Sequence, residues 1–416
     1  MSVCIRGALF GLALGLCLTA GAAQPDVGPE ALALHRRLLV LDSHLDTPRQ
    51  LSRPGWSILD RHGADDLSQV DLPRMIEGGL SGGFWAVYTP QGSVDEAGMA
   101  RASDQGLATL TRIREMVARY PDRFGLALQA EDAPRLAAEG KRVVFISMEN
   151  AEPLASDPRL LSTYQQLGLR MLGLVHSANN HVADSATAIG QWHGLSPVGR
   201  ELVTRANCLG VLLDASHASD QSFDQMLALS RAPIIVSHSS SRAINPHPRN
   251  LDDARMRRLA DSGGVIQVNT YGGYLIAQPP NPQRDKALKP LYERLRLMPA
   301  LQPEAFRELS AQITAVQQRF PNPQATFADF MKHLLHALEV VGPLHVGIGA
   351  DWDGGGGVQG LEDVSQLPKI TEALLQAGYS EADIASIWSG NLLRLLSRAQ
   401  ARGRELQEQG QCAAFR

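Results

Sequence analysis

GVLLDASHAS at residues 210–219 and APIIVSHSSS at residues 232–241 are short apolar runs that both end in Ser-His, at His217 and His238. A third run, LLVLDSHLDTP at residues 38–48, ends in His44 and Asp46. Runs of Val, Ile and Leu without alternating polar residues mark strands buried on both faces, the habit of a parallel sheet covered by helices. Parallel strands of one barrel end at the same rim, where side chains from different strands can converge. Imidazoles and a carboxylate meeting there form a donor set for a borderline metal ion, and metal-assisted hydrolysis needs such a meeting point.

Eight runs of this kind follow in order, at residues 38–42, 83–88, 143–148, 169–175, 209–216, 233–237, 265–269 and 345–350. Stretches with helical periodicity lie between them, for example at residues 103–120, 222–231 and 254–262. Strand and helix alternating eight times predict an α/β fold, a (β/α)8 TIM-type barrel, over residues 24–416 as a single domain. The spacing is uneven: His217 to His238 covers 21 positions, but Asn269 to Asp351 covers 82. That long interval holds Pro279, Pro280 and Pro282, then helical patterns around residues 303–320 and 326–341, which predicts a helical insertion forming a lid or rim between strands seven and eight. Residues 353–357, Asp-Gly-Gly-Gly-Gly, predict a flexible loop, and without a following Lys-Ser/Thr they are no phosphate cradle.

Acidic and basic residues nearly balance, giving a formal net charge of -4 over 416 residues with no basic stripe. That balance argues against a nucleic-acid partner held through its phosphates. Near the N-terminus, Arg6, an apolar stretch at residues 8–18 and Ala20-Gly21-Ala22 predict a signal peptide over residues 1–23 and export to the periplasm or beyond. The apolar stretch is short for a bilayer span, so no integral membrane segment is expected in the mature chain. Leu16 before Cys17 is bulkier than a lipidation site accepts, which disfavours a lipoprotein. Cleavage would leave Cys208 and Cys412, and export would permit a disulfide; pairing and two free buried thiols both stay open. No Cys-x-x-Cys pair offers a thiolate zinc site, and the ending ELQEQGQCAAFR lacks the apolar tail of a GPI signal.

His44 and Asp46 stand two apart, so in an extended strand they leave on one side. His217 and His238, neutral, could bind one ion from adjacent strands. Glu149 closes strand three in VVFISMEN, where a carboxylate could bridge two cations and offset their repulsion, with Glu152 as its rival. His176 ends strand four in LGLVHSANN and is placed to polarise a substrate carbonyl. Asp351 ends strand eight in HVGIGADWDGG, suited to manage the proton of an attacking water, with Asp353 as its rival. Arg249, in INPHPRNLDD, could pair with a substrate carboxylate. For each of these residues the plainer alternative is a hydrogen-bonded core or capping role.

With these residues in hand, the chain resembles the membrane dipeptidase (renal dipeptidase) family of zinc peptidases. The likeness runs through LDSHLDTP, VDLPRMIEGGLSGGFWAVY, ISMENAEPL, LGLVHSANNHVADS, GVLLDASHAS, APIIVSHSSSRAI, VGIGADWDG and SGNLLRLL, in that order. The resemblance implies two Zn2+ ions per chain, with His44 and Asp46 on one, His217 and His238 on the other and Glu149 between them. It implies that His176 contacts the substrate, Arg249 holds its terminal carboxylate and Asp351 carries the proton. The implied reaction is hydrolysis of dipeptides, including those with a D-residue second, by hydroxide held between the cations; family members often pair as homodimers. The chain departs from the family in Leu45, usually Asn, in the Asn-Ala after Glu149, and in the prolines Pro246 and Pro248 beside Arg249. Rival readings are another exported barrel hydrolase (lactonase, deaminase or nuclease) and a metal-stabilised binding protein. A nuclease wants a basic mouth, lactonases and deaminases of such barrels usually open with His-x-His, and a binding protein has no use for a proton carrier at Asp351.

Overall fold

The computed structural model describes residues 27–63, 66–295 and 301–413. The expected signal peptide, with Cys4 and Cys17, lies outside the described residues. Nine strands form one sheet, every pairing parallel: β1 (Leu41–Leu45), β2 (Gly82–Tyr88), β3 (Phe124–Leu126), β4 (Arg142–Glu149), β5 (Leu169–Gly173), β6 (Leu212–Asp214), β7 (Ile235–Ser239), β8 (Val265–Val268) and β9 (Val346–Ile348). The path runs β1-β2-β4-β5-β6-β7-β8-β9. It closes through a parallel bridge from Leu45 to Trp352, where Asp46 N donates to Trp352 O at 2.9 Å. The fold is a (β/α)8 barrel, and each of the eight runs overlaps one of its strands, with β1 and β7 shifted toward the rim by two or three residues. The extra strand, β3, pairs with the first residues of β4 before β5 takes that edge from Ile146 onward. Phe-Gly-Leu is too short to stand out in sequence.

The inward positions explain how the barrel is filled. Leu41, Phe84, Phe145, Met171, Ile235 and Val265 share one buried cluster with Leu392, Leu395, Leu396 and Ala399 of the last helix, Asn391–Glu408. That helix therefore plugs the floor. Two residues further along β4, Ser147 is buried, and two more bring Glu149 to the top. Polar side chains fill the layer between: Ser43 Oγ donates to Ser237 O at 2.6 Å, and Ser237 Oγ to Asp214 Oδ2 at 2.6 Å. The apolar side of the interior thus ends two residues below the rim.

Between β8 and β9 the chain runs through helices Pro282–Leu295 and Pro303–Arg319 before the crossover helix Phe327–Val341. The first two form a hairpin with a small core of its own, Leu288, Leu309 and Ile313. The predicted insertion is therefore present, and among the described residues the interval contains two helices that its periodicity does not show, the short Gly272–Leu275 and Pro282–Leu295. Pro290 inside Pro282–Leu295 and the prolines before it mask that helix. At the other end of the chain, Cys208 and Cys412 form a disulfide, which ties helix Pro197–Leu209 to the residues after the floor plug.

His35, on helix Pro29–Arg37, is a buried histidine with a structural task. Its Nε2 donates to Gly78 O at 2.9 Å, so Nδ1 must accept from Thr371 Oγ1 at 2.7 Å, and Trp388 Nε1 donates to the same hydroxyl at 2.8 Å. Burial pushes its pKa down to about 4, against a partial rise from the Gly78 bond. Between about pH 6.5 and 4 the folded state then holds fewer protons than the unfolded one, so this stability is complete above that window and drains away as pH falls through it. The loss is on the order of 3 kcal/mol across the window. His35→Gln should flatten the slope: urea midpoints at pH 7 and pH 4.5 should converge more in the variant than in the parent.

Candidate metal centre

Seven of the eight residues singled out in sequence converge at the C-terminal rim around one carboxylate. Glu149 Oε1 lies 2.9 Å from His217 Nε2, 3.4 Å from His238 Nε2 and 3.9 Å from His176 Nε2. Its other oxygen lies 3.6 Å from His44 Nε2, which in turn is 3.7 Å from Asp46 Oδ2. Donor atoms of His44, Asp46 and Asp351 form a further group within 4.8 Å of one another. All but His176, which is half-buried, are buried.

The strands do not deliver these groups by plain alternation. Pairing of β1 slips between Asp42 and Leu45, and pairing of β7 slips between Val236 and Ser239, so both His44 and His238 sit on irregular strand ends. Asp42 fixes the first: it accepts from His44 N at 2.8 Å and from Ala350 N at 3.1 Å, joining the ends of β1 and β9. Ser237 Oγ meets His238 Nδ1 at 2.9 Å and so orients that ring from behind. Asp351 and Asp353 both have positive φ, 65° and 64°, so the extended-chain picture fails there.

The glycine run differs from its expectation. Residues 354–357 are packed against the centre, because a Cβ on Gly354 would stand 2.1 Å from Asp46 Oδ2 and 2.2 Å from Asp351 Oδ1. A Cβ on Gly356 would stand 2.0 Å from Ala350 O. Only glycine lets this turn come so close. It helps to build the site.

The electrostatics call for a cation. Burial alone would raise the Glu149 pKa, but His44 and His176, with contacts from His217 and His238, hold it well below the usual glutamate range. Burial opposes a charge on His44 too, yet Glu149 and Asp46 outweigh it and hold its pKa well above the ordinary histidine value. Burial, then the charge of Arg249, pushes His217 far down, and burial and His44 push His238 down to about 4. Burial lowers His176 as well. Asp351 is pushed well up, first by burial and then, against the pull of His44, by Asp46 and Glu149. Three carboxylates thus share a pocket in which His44 is the one histidine driven to carry a proton and Asp351 is driven to keep its own. Nδ1 and Nε2 of His44, Oδ1 of Asp46 and Nδ1 of His217 are buried without a hydrogen-bond partner among the described residues, a costly arrangement for polar atoms. Neutral imidazoles with carboxylates are the donors a borderline divalent ion takes. The residues fit one.

The remaining assignments separate cleanly. Glu152 is buried away from the cluster, its Oε1 2.6 Å from His181 Nδ1. Asp353 accepts from Thr47 Oγ1 at 2.7 Å and Gln69 N at 2.7 Å and so ties the loops together. Arg249 is buried beside His217 and the end of β7, with Nη2 3.2 Å from His217 Nε2, 3.1 Å from His238 O, and Nη1 on Ser216 O. Of the eight predicted residues, Arg249 and His44 do not wall the cavity over the centre. A cavity of about 170 Å³ opens over the centre, walled also by Arg49, Tyr88, Ser177, Tyr271, Tyr274 and Gly354. None of these was singled out as a site residue from sequence, although Arg49 follows Asp46 by three and both tyrosines follow β8 in NTYGGY.

A model of the membrane dipeptidase family, peptidase family M19, matches residues 29–410. The chain belongs to that family. It is 32% identical over 346 residues to dipeptidase tcpJ of Claviceps purpurea, covering 81% of this chain and 70% of that one. The crystal structure of the probable dipeptidase PvdM from Pseudomonas aeruginosa is similar with a TM-score of 0.77 and 33% identity, over 90% of this chain and 98% of that one. A metallopeptidase from Rhodobacter sphaeroides, crystallised with a phosphinate mimic of the dipeptide L-Ala-D-Ala, is similar with a TM-score of 0.69 and 26% identity, over 87% and 99%. The dipeptidase is therefore a metal-dependent hydrolase acting on small peptides, and no helix among its described residues is long and apolar enough to cross a membrane. For this M19 member Gly354→Ala should drive Asp46 and Asp351 off their positions. Its metal content after dialysis, measured by plasma mass spectrometry, should fall at least several-fold while far-ultraviolet dichroism stays that of the parent.

Proposed function

We propose that the chain is an exported zinc dipeptidase that holds two Zn2+ ions, His44 and Asp46 on one, His217 and His238 on the other, with Glu149 shared. The observation that carries this reading is the gathering of three imidazoles around Glu149 Oε1 with His44 on its second oxygen. A carboxylate offering one oxygen to each side is what a pair of cations needs to offset their repulsion. When bound, such ions polarise the scissile carbonyl and make water acidic enough to attack at neutral pH.

The chain's own groups do the rest. Asp351, beside His44 and Asp46 in the wall of the cavity, is suited to take a proton and release it again at the departing amine nitrogen. His176, with its ring 4.9 Å from that of Tyr88, faces the cavity as a neutral imidazole able to donate to a carbonyl oxygen as it gains charge. Arg249 is assigned the substrate's terminal carboxylate, which requires its guanidinium to exchange part of its bonding to strand ends for the ligand. The small volume of the inner cavity, about 170 Å³, favours a short substrate. The dipeptide mimic in the Rhodobacter neighbour supports tolerance of a D-residue in second place. Export is supported by the N-terminal apolar stretch and by the Cys208–Cys412 disulfide, which survives in oxidising compartments.

Asp351→Asn should keep two equivalents of zinc and lose activity on L,L- and L,D-dipeptides by roughly a thousandfold, in line with loss of a proton carrier. Retained activity would remove Asp351 from the mechanism. Chelation should abolish hydrolysis and lower the melting temperature, and zinc should restore both. A panel of dipeptides that stays uncut by the zinc-loaded protein would overturn the proposal.

A further inference from the structure

The inner cavity is the bottom of a larger space. Arg49, Tyr88, Tyr271 and Gly354 wall both it and a vestibule of about 790 Å³, so these four residues form a throat between them. From the far side the vestibule is walled by the inserted hairpin, through Tyr292, Leu295 and Gln317. This outer space has far more room than the second residue of a dipeptide fills. Any side chain leaving the centre toward it passes Arg49.

Arg49 is held there by the local chain. The turn Thr47–Ser52 begins directly after Asp46 and is pinned by Thr47 Oγ1 to Asp353. The half-buried guanidinium lies 5.9 Å from the Tyr88 ring centroid, and its Nη1 donates to Asp353 O at 3.4 Å. Among the described residues no carboxylate lies within ion-pair distance of it. The other charges around the vestibule are differently engaged. Arg74 is paired with Asp71 and Asp363, the Asp353 carboxylate faces Thr47 and Gln69, and Glu362 is exposed. Arg112, also half-buried, is a second cation without a carboxylate partner among the described residues. A half-buried guanidinium with free donors, in a partly desolvated throat, is a receptor for a carboxylate.

We propose that Arg49 sets the side-chain preference of this dipeptidase, favouring dipeptides in which the side chain leaving through the throat is anionic. The inference rests on the metal centre being the place of hydrolysis. It leaves the terminal carboxylate to Arg249, which lies against His217 and the His238 carbonyl and not in the throat.

The test uses the zinc-loaded mature protein and pairs of dipeptides that differ only in charge, Glu against Gln and Asp against Asn, placed first or second beside alanine. The acidic member should be cut with about tenfold higher kcat/KM at whichever position faces the throat, the advantage of one charge-assisted contact. Arg49→Gln should bring that ratio close to one, Arg49→Lys should keep most of it, and Arg49→Glu should reverse it in favour of Lys-containing dipeptides. Equal rates for acidic and amide substrates in the parent enzyme would overturn the inference. So would an unchanged ratio in Arg49→Gln, including the case in which all substrates slow together. If the parent cuts no dipeptide at all, it is the assignment of the reaction that fails, a result plainly different from hydrolysis without charge preference.

Discussion

The whole architecture is subordinate to one constraint: three carboxylates must be kept together out of water. Asp46, Glu149 and Asp351 are all buried at one rim, and like charges so placed repel strongly in a medium of low polarity. The imidazoles around Glu149 answer part of this, and a cation set answers the rest. The surroundings are then arranged so that nothing can relax. Asp42 binds the ends of β1 and β9 together, Ser237 fixes a ring from behind, and a glycine turn closes over the two aspartates. Each of these is a constraint on position, applied by a residue that never needs to touch a substrate.

That division also explains what could be read from the sequence. The eight barrel strands were legible because burial on both faces leaves uninterrupted apolar runs, and the site was legible because those runs stop at chemically distinctive residues. His44, His217 and His238 each end such a run. What stayed hidden has a physical reason in each case. β3 is three residues long and holds an edge only where β5 has not yet begun. The helix Pro282–Leu295 carries prolines that normally mark a break. The glycine run reads as looseness in one dimension, whereas its meaning is steric and depends on Asp46, more than three hundred positions away. Arg249 shows the converse: its place in the chain pointed to the site, but its burial against His217 and the end of β7 is a tertiary fact.

The disulfide is a similar case. Nothing in the spacing of Cys208 and Cys412 sets their distance, since their separation of 204 positions spans half the barrel. Only the return of the last helix beneath the strands brings them together. A tie across so long a segment restricts the unfolded chain substantially, by several kcal/mol in the loop-entropy picture.

The floor plug carries a consequence for how the molecule comes into being. The apolar ring at the base of the barrel is sealed by Leu392, Leu395, Leu396 and Ala399, which follow every strand of the barrel in the chain. The first strand likewise finds its final neighbour only at Trp352. A nascent chain emerging from the ribosome therefore has no finished barrel to collapse into until the helix Asn391–Glu408 has emerged. Such delay leaves greasy surface uncovered for longer, until the sealing helix arrives.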